Sequence, residues 1–386
     1  MRIGIAGAGI GGLAAAALLA RAGHEVTVCD RFQAPAPVGS GLVIQPVGQA
    51  VLAEIGVLAA AEARAARIYH MLGHEADRGR RVLDVRYGPD GGASYGLGIH
   101  RAALFGTLLD AAVAAGARLL PGHEVRAADG RQLQTGAGRI GPFDILIDAA
   151  GAGSPLSPLR SRPLGYGAIW GTVDWPEDTP LPATRLSQRY RRADRMVGVL
   201  PLGRPDPAGP ARAALFWSLR ADGFEEWRAA GLDRWRKEAT ALWPEVAPFV
   251  ARITDPGQMT MARYSHGTLR HPRSGAVLHI GDAAHRASPQ LGQGANMALL
   301  DAVAVARALA REPELAALNY ARARRAHVWI YQAMSAAFTP QYQSDSRILP
   351  WVRDRVLFPV SRIPPVPRIL TRLVCGTLVP PTGSLR

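Results

Sequence analysis

The sequence predicts an α/β fold in which a parallel βαβ unit opens the chain, a mostly antiparallel β-sheet is inserted, and a helical segment follows. Residues 2–6, 11–22 and 25–30 are predicted to form strand, helix and strand. From about residue 165, strand-like segments such as "GYGAIWGTVDW" alternate with turns rich in Pro, Gly and Asp. The α/β pattern returns at the apolar run 276–280, so the antiparallel sheet is expected to be an insertion.

Local signals justify the other elements in order. Glycines that follow apolar helical patterns, Gly23, Gly56 and Gly116, mark helix ends. After the βαβ unit we predict a helix from Pro46, strands at 67–72 and 81–87, the helix "HRAALFGTLLDAAVAAG", the strand in "FDILIDAAGAGS", strands such as "TRLSQRYRR", "RMVGVLPLG" and "ARAALFWSLR", a helix at 223–243, the strand "QMTMARY" and a helix at 294–311. The remainder, with "ILPWVRDRVLFPVSRIPPVPRILTRLV", predicts short amphipathic helices broken by proline.

The size of the chain is sufficient for two domains with cores of their own. It has 386 residues, of which 48% are hydrophobic and 20% charged, as in an ordinary globular enzyme. We expect a discontinuous first domain at 1–70, 97–163 and 270–320, a β-sheet substrate domain at 71–96 and 164–269, and a C-terminal helical segment at 321–386.

The charge is strongly positive and unevenly distributed. The formal net charge is +14, and Lys237 is the only lysine among 45 basic residues. This arginine bias is expected from a biased genome, and no nucleic-acid-binding motif accompanies it, so a nucleic-acid partner is not predicted. From Arg322 onward there are ten Arg, no Lys and two Asp, which gives +8. That segment is a candidate for contact with an anionic surface.

Two further features limit the setting of the protein. The uncharged run from Ile3 to Ala20 holds five patterned glycines, which favours a buried strand and helix over a membrane span or a signal peptide. Cys29 and Cys375 match no metal spacing and suggest no disulfide framework. We therefore expect a reducing, cytoplasmic setting. The scattered histidines predict no metal site, and no Ser-His-Asp order stands out.

The turn after the first strand matches G-x-G-x-x-G. It comprises Gly7, Ala8, Gly9, Ile10, Gly11 and Gly12. In such a motif the first glycine allows a tight turn, the second lets a pyrophosphate approach the backbone, and the last lets the helix pack on the strand. The helix N-terminus then offers N–H groups to the phosphates. Asp30, 18 residues beyond Gly12, ends the next strand and can accept hydrogen bonds from a ribose. An acid there favours FAD or NAD over NADP.

A second strand–turn–helix segment lies at "HIGDAAHRASPQLGQGANMALLDA". Asp282 follows a buried strand, where its carboxylate can accept bonds from sugar-alcohol hydroxyls. Pro289 stiffens the turn, and Gly292 and Gly294 let the backbone approach a flat ring. The helix from 294 would aim its positive end at that ring, which suits a reduced flavin anion. The alternative is a simple helix cap with a buried structural acid. Two such helix starts favour one long ligand, with pyrophosphate at one end and isoalloxazine at the other.

These motifs together carry a family resemblance. The segments are "GAGIGG" followed by Asp30 and Arg31, "HRAALFGTLL" and "GDAAHRASPQLGQGANMALLDA". They resemble the flavoprotein monooxygenases of the p-hydroxybenzoate hydroxylase class. Within that class they are most similar to the ubiquinone-biosynthesis hydroxylases and related bacterial FAD-dependent oxidoreductases. The resemblance covers roughly the first 310 residues in order and implies FAD bound by a Rossmann-like domain.

The resemblance also implies roles for individual residues. It places Asp30 on the ribose, Arg31 near the adenine and Arg101 against the phosphates. It places Asp282 on the ribityl or pyrophosphate region and Pro289 beside the flavin ring. The other backbone contacts to the cofactor that it implies are at Gly41, Gly151, Gly292, Gly294, Ala295 and Asn296.

Two departures from the family pattern bear on reduction of the flavin. Members usually carry an Asp-Gly pair after the strand at 144–149, whereas this chain has Ala150 before Gly151 and its acid earlier, at Asp148. Some members also have an Arg where this chain has "PVGSGLVI", near Gly39. The family implies NADH or NADPH as the electron donor, and both departures count against direct reduction of the flavin by either one. The alternative is that backbone groups, and not the Asp side chain, make most of the contacts that reduction needs.

The activity implied by the resemblance is hydroxylation of an aromatic, phenolic or quinonoid molecule. FAD would be reduced by NAD(P)H and would react with O2 at C4a to give a hydroperoxide. Trp217 and Tyr264 are candidates for the substrate pocket, with ordinary core packing as the alternative. No catalytic acid–base pair is predicted. The rival functions are a flavin oxidoreductase without oxygen insertion and a non-enzymatic flavin-binding protein.

Two roles are open for the basic C-terminal segment. It would either close the substrate pocket or rest on an anionic membrane so that a lipophilic substrate can enter. The second role would put a cytoplasmic protein in peripheral contact with the inner membrane face.

Overall fold

The fold is described from a computed structural model, in which residues 1–33, 40–88, 94–383 and 385 are described. The strands are β1 Arg2–Ala6, β2 Glu25–Cys29, β3 Gly41–Ile44, β4 Ala66–Ile68, β5 His70–Glu75, β6 Arg81–Arg86, β7 Gly96–His100, β8 Arg118–Leu120, β9 Val125–Asp129, β10 Gln132–Thr135, β11 Gly138–Ile140, β12 Ile145–Asp148, β13 Arg162–Asp174, β14 Arg185–Arg191, β15 Arg195–Gly203, β16 Arg212–Arg220, β17 Thr260–Thr268, β18 Arg273–Ser274, β19 Val277–His279 and β20 His285–Arg286.

The helices are α1 Ile10–Arg21, α2 Pro46–Ile55, α3 Leu58–Glu62, α4 Arg101–Ala114, α5 Phe224–Ala230, α6 Leu232–Leu242, α7 Ala247–Val250, α8 Gly294–Arg311, α9 Ala316–Tyr342, α10 Ile348–Val352, α11 Phe358–Ser361 and α12 Val366–Cys375. A π-helical turn at Arg353–Leu357 joins α10 to α11. Among the described residues, no helix has the length and apolar character needed to span a bilayer.

One sheet brings the predicted cofactor turns to a common edge. Its strand order is β18-β19-β12-β1-β2-β8, and all neighbours are parallel except β18 and β19. Ala6 at the end of β1 pairs with Asp148 in β12, and Asp148 pairs with His279 in β19. Since these strands run in the same direction, the turns that follow them leave the same edge of the sheet, where ligands bind in such folds.

Helices α1 and α8 pack against each other beside this sheet. Residues 11–17 of α1 are all buried, which explains why the Ala-rich helix lacks a polar face. A Cβ atom on Gly11 would lie 3.2 Å from the Cβ atom of Ala298, so glycine permits the close approach of the two helices. The two predicted anion-binding helix starts therefore belong to neighbouring helices.

The second large sheet is mostly antiparallel, in the order β20-β17-β13-β16-β15-β14-β5-β6, with β14 and β5 parallel. Alternate residues of β16 point to opposite faces. Trp217 packs on the outer face with Trp235 from α6, whereas Phe216 belongs to an inner cluster with Val43 and Leu200. The predicted fold class, an α/β unit with an inserted antiparallel sheet and a helical C-terminal segment, is confirmed. We propose that the domain limits given above follow these sheets.

Two predicted elements differ from the structure. The helix predicted at 223–243 is two helices, because Gly231 between them adopts φ +80° and ψ 160°. The part of the chain after 311 is not only short helices, since α9 runs for 27 residues. Its buried positions include Arg324, His327 and Ser335. Because these buried positions are polar, the sequence lacks the regular spacing of apolar residues by which a long helix is predicted.

Candidate functional site

The first turn is shaped by glycines that the packing requires. Gly7 has φ +100°, and a Cβ atom on it would lie 2.6 Å from the carbonyl oxygen of Ala149. A Cβ atom on Gly12 would lie 2.0 Å from the carbonyl oxygen of Gly7. Gly9 is different, because it is exposed and a Cβ atom on it would meet only Ala149 oxygen, at 4.0 Å. The open side of the turn is therefore at Gly9, where α1 begins and its N–H groups are available to a phosphate.

Asp30 is joined directly to this turn. Its carboxylate accepts a hydrogen bond from the Ala8 N–H at 2.7 Å and another from the Phe32 N–H at 3.0 Å. The side chain is half-buried, and a carboxylate has lone pairs beyond these two bonds. Arg31 is exposed, and its guanidinium carbon lies 4.9 Å from the centroid of the Phe32 ring. Asp30 and Arg31 are thus placed beside the Gly loop, as a ribose and an adenine contact require.

The second turn, after β12, has its acid inside the protein. Asp148 is fully buried and accepts bonds from the Ala150 N–H at 3.1 Å, the Ser154 hydroxyl at 2.7 Å and Nδ1 of His279 at 2.8 Å. Gly151 follows with φ +76°. Asp148 therefore connects β12 to β19 and does not replace the acid that the family carries at the position of Ala150. The loop near Gly39 lies outside the described residues.

This buried pair is part of a Ser–His–Asp arrangement that the sequence order did not reveal. The hydroxyl of half-buried Ser274 lies 2.6 Å from Nε2 of His279, whose Nδ1 contacts Asp148. The three residues come from different strands of one sheet, so only the strand pairing brings them together. Because Asp148 already accepts two other bonds and His279 is fully buried, the arrangement serves to hold the strands together.

The third turn places Asp282 just beyond β19, as an exposed residue at the edge of the parallel sheet. The residue keeps solvent-accessible surface although protein atoms surround its carboxyl group, and this burial raises the pKa of Asp282 above its ordinary value. His285, Arg101 and Arg286 oppose the rise in pKa, so both guanidinium groups lie within electrostatic range of the Asp282 carboxyl group. Arg101 and Asp282 therefore lie near each other. Arg286, which the sequence analysis did not select, donates to the Asp282 carbonyl oxygen at 3.0 Å and to the Ser161 hydroxyl at 2.9 Å.

A buried carboxylate supports this turn from below. Asp301 of α8 is fully buried and accepts bonds from the Gly281 N–H at 2.8 Å, Nε2 of His285 at 2.6 Å and Nε of Arg324 at 2.7 Å. Burial alone would raise the pKa of Asp301, but the charges and hydrogen bonds of His285 and Arg324 hold that pKa below its ordinary value. His285 therefore has a structural role beneath the turn.

The fourth turn opens toward the predicted ring site at Gly294. Gly292 has φ +61°, Pro289 and Gly294 are exposed, and a Cβ atom on Gly294 would meet no atom of the described residues within 4 Å. Ala295 is half-buried behind Gly294 at the start of α8. The open backbone at Gly9 and Gly294, at the starts of two packed helices, fits a long cofactor with an anionic middle and a flat ring.

Asn296 holds this turn to β3 through its side chain. Its Oδ1 accepts the Gln45 N–H at 2.8 Å, and its Nδ2 donates to the Val43 carbonyl at 3.1 Å and the Gly292 carbonyl at 2.9 Å. A Cβ atom on Gly48 would lie 2.2 Å from the Asn296 oxygen, which explains the glycine there. The side chain of Asn296 is thus committed to the protein, and only its backbone is left for a ligand.

Gly41 at the start of β3 is required by close contact between the two domains. A Cβ atom on it would lie 2.3 Å from Leu202 and 3.2 Å from Ala214, both on the inner face of the large sheet. This contact brings the inner face of the sheet against the strand that precedes α2. The side of the sheet that carries Ala214 and Phe216 therefore faces the predicted cofactor domain.

Aromatic side chains continue this inner face. Trp170 stacks on Phe216 with ring centroids 4.5 Å apart, and its Nε1 donates to the Tyr264 hydroxyl at 3.0 Å. Burial raises the pKa of Tyr264 to about 12, so the phenol stays protonated at neutral pH. Trp217 is 1% exposed and lies on the outer face against Trp235. We therefore keep Tyr264 as the pocket candidate of the two and assign Trp217 to the core.

Helix α9 ties the Pro289 turn to the large sheet. The Ser288 hydroxyl lies 2.8 Å from the Ser335 hydroxyl, while Nε2 of Gln290 donates to Gln343 at 2.8 Å. Gln343 in turn donates to the Gly167 carbonyl of β13 at 3.2 Å. These contacts were not predicted, since no sequence motif marks the end of α9, and they place the C-terminal end of α9 between the Pro289 turn and β13.

The first prediction concerns the open position at Gly9. Gly9→Ala is expected to fold normally, because its φ is −76° and the added methyl group contacts almost no protein atom. The same methyl group would stand where the pyrophosphate approaches the backbone, so FAD affinity should fall at least about tenfold. Flavin fluorescence titration of the apoprotein measures this. Gly106→Ala, also open in α4, is the matched control and should bind FAD unchanged.

The second prediction concerns the pH dependence of stability from Asp301. Because its pKa is lowered in the folded state, the ionised carboxyl stabilises the fold above the ordinary pKa of about 3.9, and this contribution is lost as pH falls through the lower folded value. Asp301→Asn should cost about 3–5 kcal/mol at neutral pH, and the deficit should shrink in acid. Urea unfolding across pH measures it. The exposed control Asp233→Asn should change stability by less than about 0.5 kcal/mol, and an equal loss there would contradict the prediction.

Comparison with known proteins agrees with this geometry. The model of the family described as "FAD binding domain" matches residues 1–137 and 189–333. Kynurenine 3-monooxygenase of Stenotrophomonas maltophilia is 30% identical over 348 residues, which cover 81% of this chain and 72% of that protein. 3-Hydroxybenzoate 6-hydroxylase of Klebsiella oxytoca is 27% identical over 336 residues, covering 81% and 80%. 3-Amino-4-hydroxybenzoate 2-monooxygenase of Streptomyces cremeus is 30% identical over 326 residues, covering 81% and 79%.

Solved structures agree in fold. The tetrameric form of 2-methyl-3-hydroxypyridine-5-carboxylic acid oxygenase superposes with a TM-score of 0.79 at 19% identity, covering 96% of each chain. A variant of HpxO from Klebsiella pneumoniae, solved with FAD, gives 0.80 at 21% identity over 100% of each chain. The predicted cofactor FAD and an enzymatic, monooxygenase character are confirmed by the family, whereas the closer likeness to ubiquinone-biosynthesis hydroxylases stays a prediction. The chain belongs to the FAD-dependent aromatic hydroxylase family.

Proposed function

We propose that this monooxygenase hydroxylates a small phenolic or quinonoid ring, with NADH or NADPH as electron donor and O2 as the oxygen source. The observation that supports this most is the position of the Trp170–Tyr264 pair. It lies on the sheet face that packs against the FAD-binding domain, where a flat substrate could lie between the aromatic wall and the Pro289 turn. A quinonoid substrate also agrees with the resemblance to ubiquinone-biosynthesis hydroxylases.

The cofactor, when bound, accepts hydride and activates O2 so that one oxygen atom reaches the substrate ring. The residues of this chain bind and orient. The N-terminus of α8, open at Gly294, would stabilise negative charge on the ring. Arg101 and Asp282 would hold the phosphate and ribityl parts. Tyr264 accepts a hydrogen bond from Trp170, so its own O–H group could donate to a substrate oxygen.

The names of the relatives support an aromatic substrate. Two are named for reactions of hydroxybenzoates and one for kynurenine. All three are named as monooxygenases or hydroxylases, which favours oxygen insertion over a simple reductase or dehydrogenase. We further propose that reduction by NAD(P)H proceeds without an acid at Ala150, through contacts of the backbone.

We also propose a cytoplasmic setting with peripheral contact at the inner membrane face. Both cysteines are buried free thiols, as expected in a reducing compartment. The basic segment 321–386 would supply the contact with an anionic membrane.

The third prediction tests the electron donor and oxygen transfer. Anaerobic mixing with NADH or NADPH should bleach the bound flavin, faster when a suitable phenol is present. Under labelled O2 the product should then carry one labelled oxygen atom. Ala150→Asp, which restores the family pair, is the matched comparison, and it should leave the reduction rate and the product nearly unchanged because the backbone makes the contacts. A product without label would contradict hydroxylation, and a flavin that neither donor bleaches would contradict both donors.

The fourth prediction separates the two aromatic candidates. Tyr264→Phe removes a hydrogen-bonding group from the inner face, so KM for the substrate should rise about tenfold, and the loss of the acceptor for Trp170 Nε1 should cost about 1–2 kcal/mol of stability. Trp217→Phe opens space in the outer core and should lower stability by about 1–3 kcal/mol with KM unchanged. Steady-state kinetics and thermal unfolding measure both. A rise in KM for Trp217→Phe, with none for Tyr264→Phe, would place the pocket on the outer face.

A further inference from the structure

The C-terminal segment exposes an unusual amount of apolar surface. Among the described residues, thirteen large apolar side chains are exposed, and seven of them lie between 348 and 369. They are Ile348, Trp351, Val356, Leu357, Val360, Ile363 and Ile369. Ile348 is 72% exposed and Trp351 60%. A concentration of this kind marks an interaction surface.

Arginines are interleaved with these apolar residues. Five of them are exposed, and within the described parts of the chain none of the five has an ion-pair partner. They are Arg347, Arg355, Arg362, Arg368 and Arg372. Asp354 is the only acid after Asp345, and it pairs with buried Arg353 at 2.6 Å. The surface, defined here as the docking face 347–372, therefore combines exposed apolar groups with uncompensated positive charge.

The docking face is held rigidly by the protein beneath it. Arg353 is 1% exposed and donates to the carbonyls of Arg192 at 3.1 Å and Gln341 at 2.8 Å. Thr371 donates to the Arg86 carbonyl at 2.8 Å, and Leu373 is buried beside Leu291. These anchors keep the apolar side chains at the surface, so they are not a loose segment about to fold inward.

The combination of charge and apolar surface fits one occupant best. A symmetric contact with a second copy would set the same five arginines against each other. A nucleic acid would satisfy the arginines but not seven apolar side chains. An anionic bilayer satisfies both, because apolar side chains enter the boundary between headgroups and acyl chains while arginines and Trp stay at the phosphates.

We infer that the docking face 347–372 binds the surface of an anionic lipid bilayer. The other side of α12 lies against the predicted ring site, since Nε2 of Gln293 donates to the Val374 carbonyl at 2.7 Å. The bilayer and the predicted ring site are thus separated by about one helix diameter, roughly 10 Å. The inference assigns the membrane contact proposed above to residues 347–372 and is independent of the proposed hydroxylation. If that hydroxylation also holds, a lipophilic ring has a short route from the membrane to the flavin.

Vesicle co-sedimentation of the full-length flavoprotein tests the inference. Wild type should bind vesicles of phosphatidylglycerol and phosphatidylcholine, and should bind phosphatidylcholine alone much more weakly. Replacing Arg355, Arg362 and Arg368 together by Gln should lower the partition coefficient about 100-fold. Trp351→Ser should lower it about tenfold. The matched surface controls Arg228→Gln and Val113→Ser, on α5 and α4, should bind as wild type does.

Point substitutions are preferable to truncation, because Leu373 and Cys375 belong to the core and a shortened chain would lose that packing. Equal binding to neutral vesicles, or unchanged binding of the triple variant, would overturn the inference. The inference would also be overturned if the wild-type protein bound no vesicles and instead formed a dimer that the docking-face variants dissociate. Heparin binding as tight as vesicle binding, with Trp351→Ser having no effect, would also overturn it. The flavin content and the isotope-labelled product are measured separately, so failure here leaves the proposed hydroxylation standing.

Discussion

The buried carboxylate of Asp301 is the contact on which the arrangement of the site depends. It accepts hydrogen bonds from the turn at Gly281, from His285 and from Arg324, and so joins the third cofactor turn to α8 and α9. Arg324 also donates to the Pro381 carbonyl, which extends the network to the end of the chain. Since a buried charge is costly without partners, these elements can pack only in the positions that supply its partners.

Around this network the proposed cofactor site is built mostly from backbone. Four turns lie between the edge of one parallel sheet and the two packed helices α1 and α8. Each turn contains a glycine at a position where a side chain would collide with protein or block a ligand. Gly7 and Gly12 are required by the packing of the turn on itself, whereas Gly9 and Gly294 leave open space. This division agrees with a site in which the bound cofactor carries the redox chemistry and the protein contributes position and charge.

Much of this site could be predicted because its signals are local. The Gly loop, Asp30, and α8 with the turns before it lie where the sequence placed them, since each depends on a few consecutive residues. Long-range pairings could not be predicted. His279 and Asp148 pair across two strands that are 131 positions apart in the chain, and Gln343 reaches both Gln290 and β13. The sequence did not predict α9 as one continuous helix, because its buried face carries polar groups whose hydrogen-bond partners lie in distant parts of the chain.

The sequence by itself determined the parallel βαβ unit, the inserted antiparallel sheet and the two glycine-rich helix starts, because strand and helix periods and turn glycines are local properties of the chain. Only the tertiary structure decided which side chains face the FAD-binding domain. Strand register turned Trp217 outward and Tyr264 inward, a difference of face that no composition reveals. Tertiary packing likewise buried one side of α12 and left the other side exposed, because the groups that anchor this segment, the carbonyls of Arg192 and Arg86 and the side chain of Leu291, lie far from it in sequence.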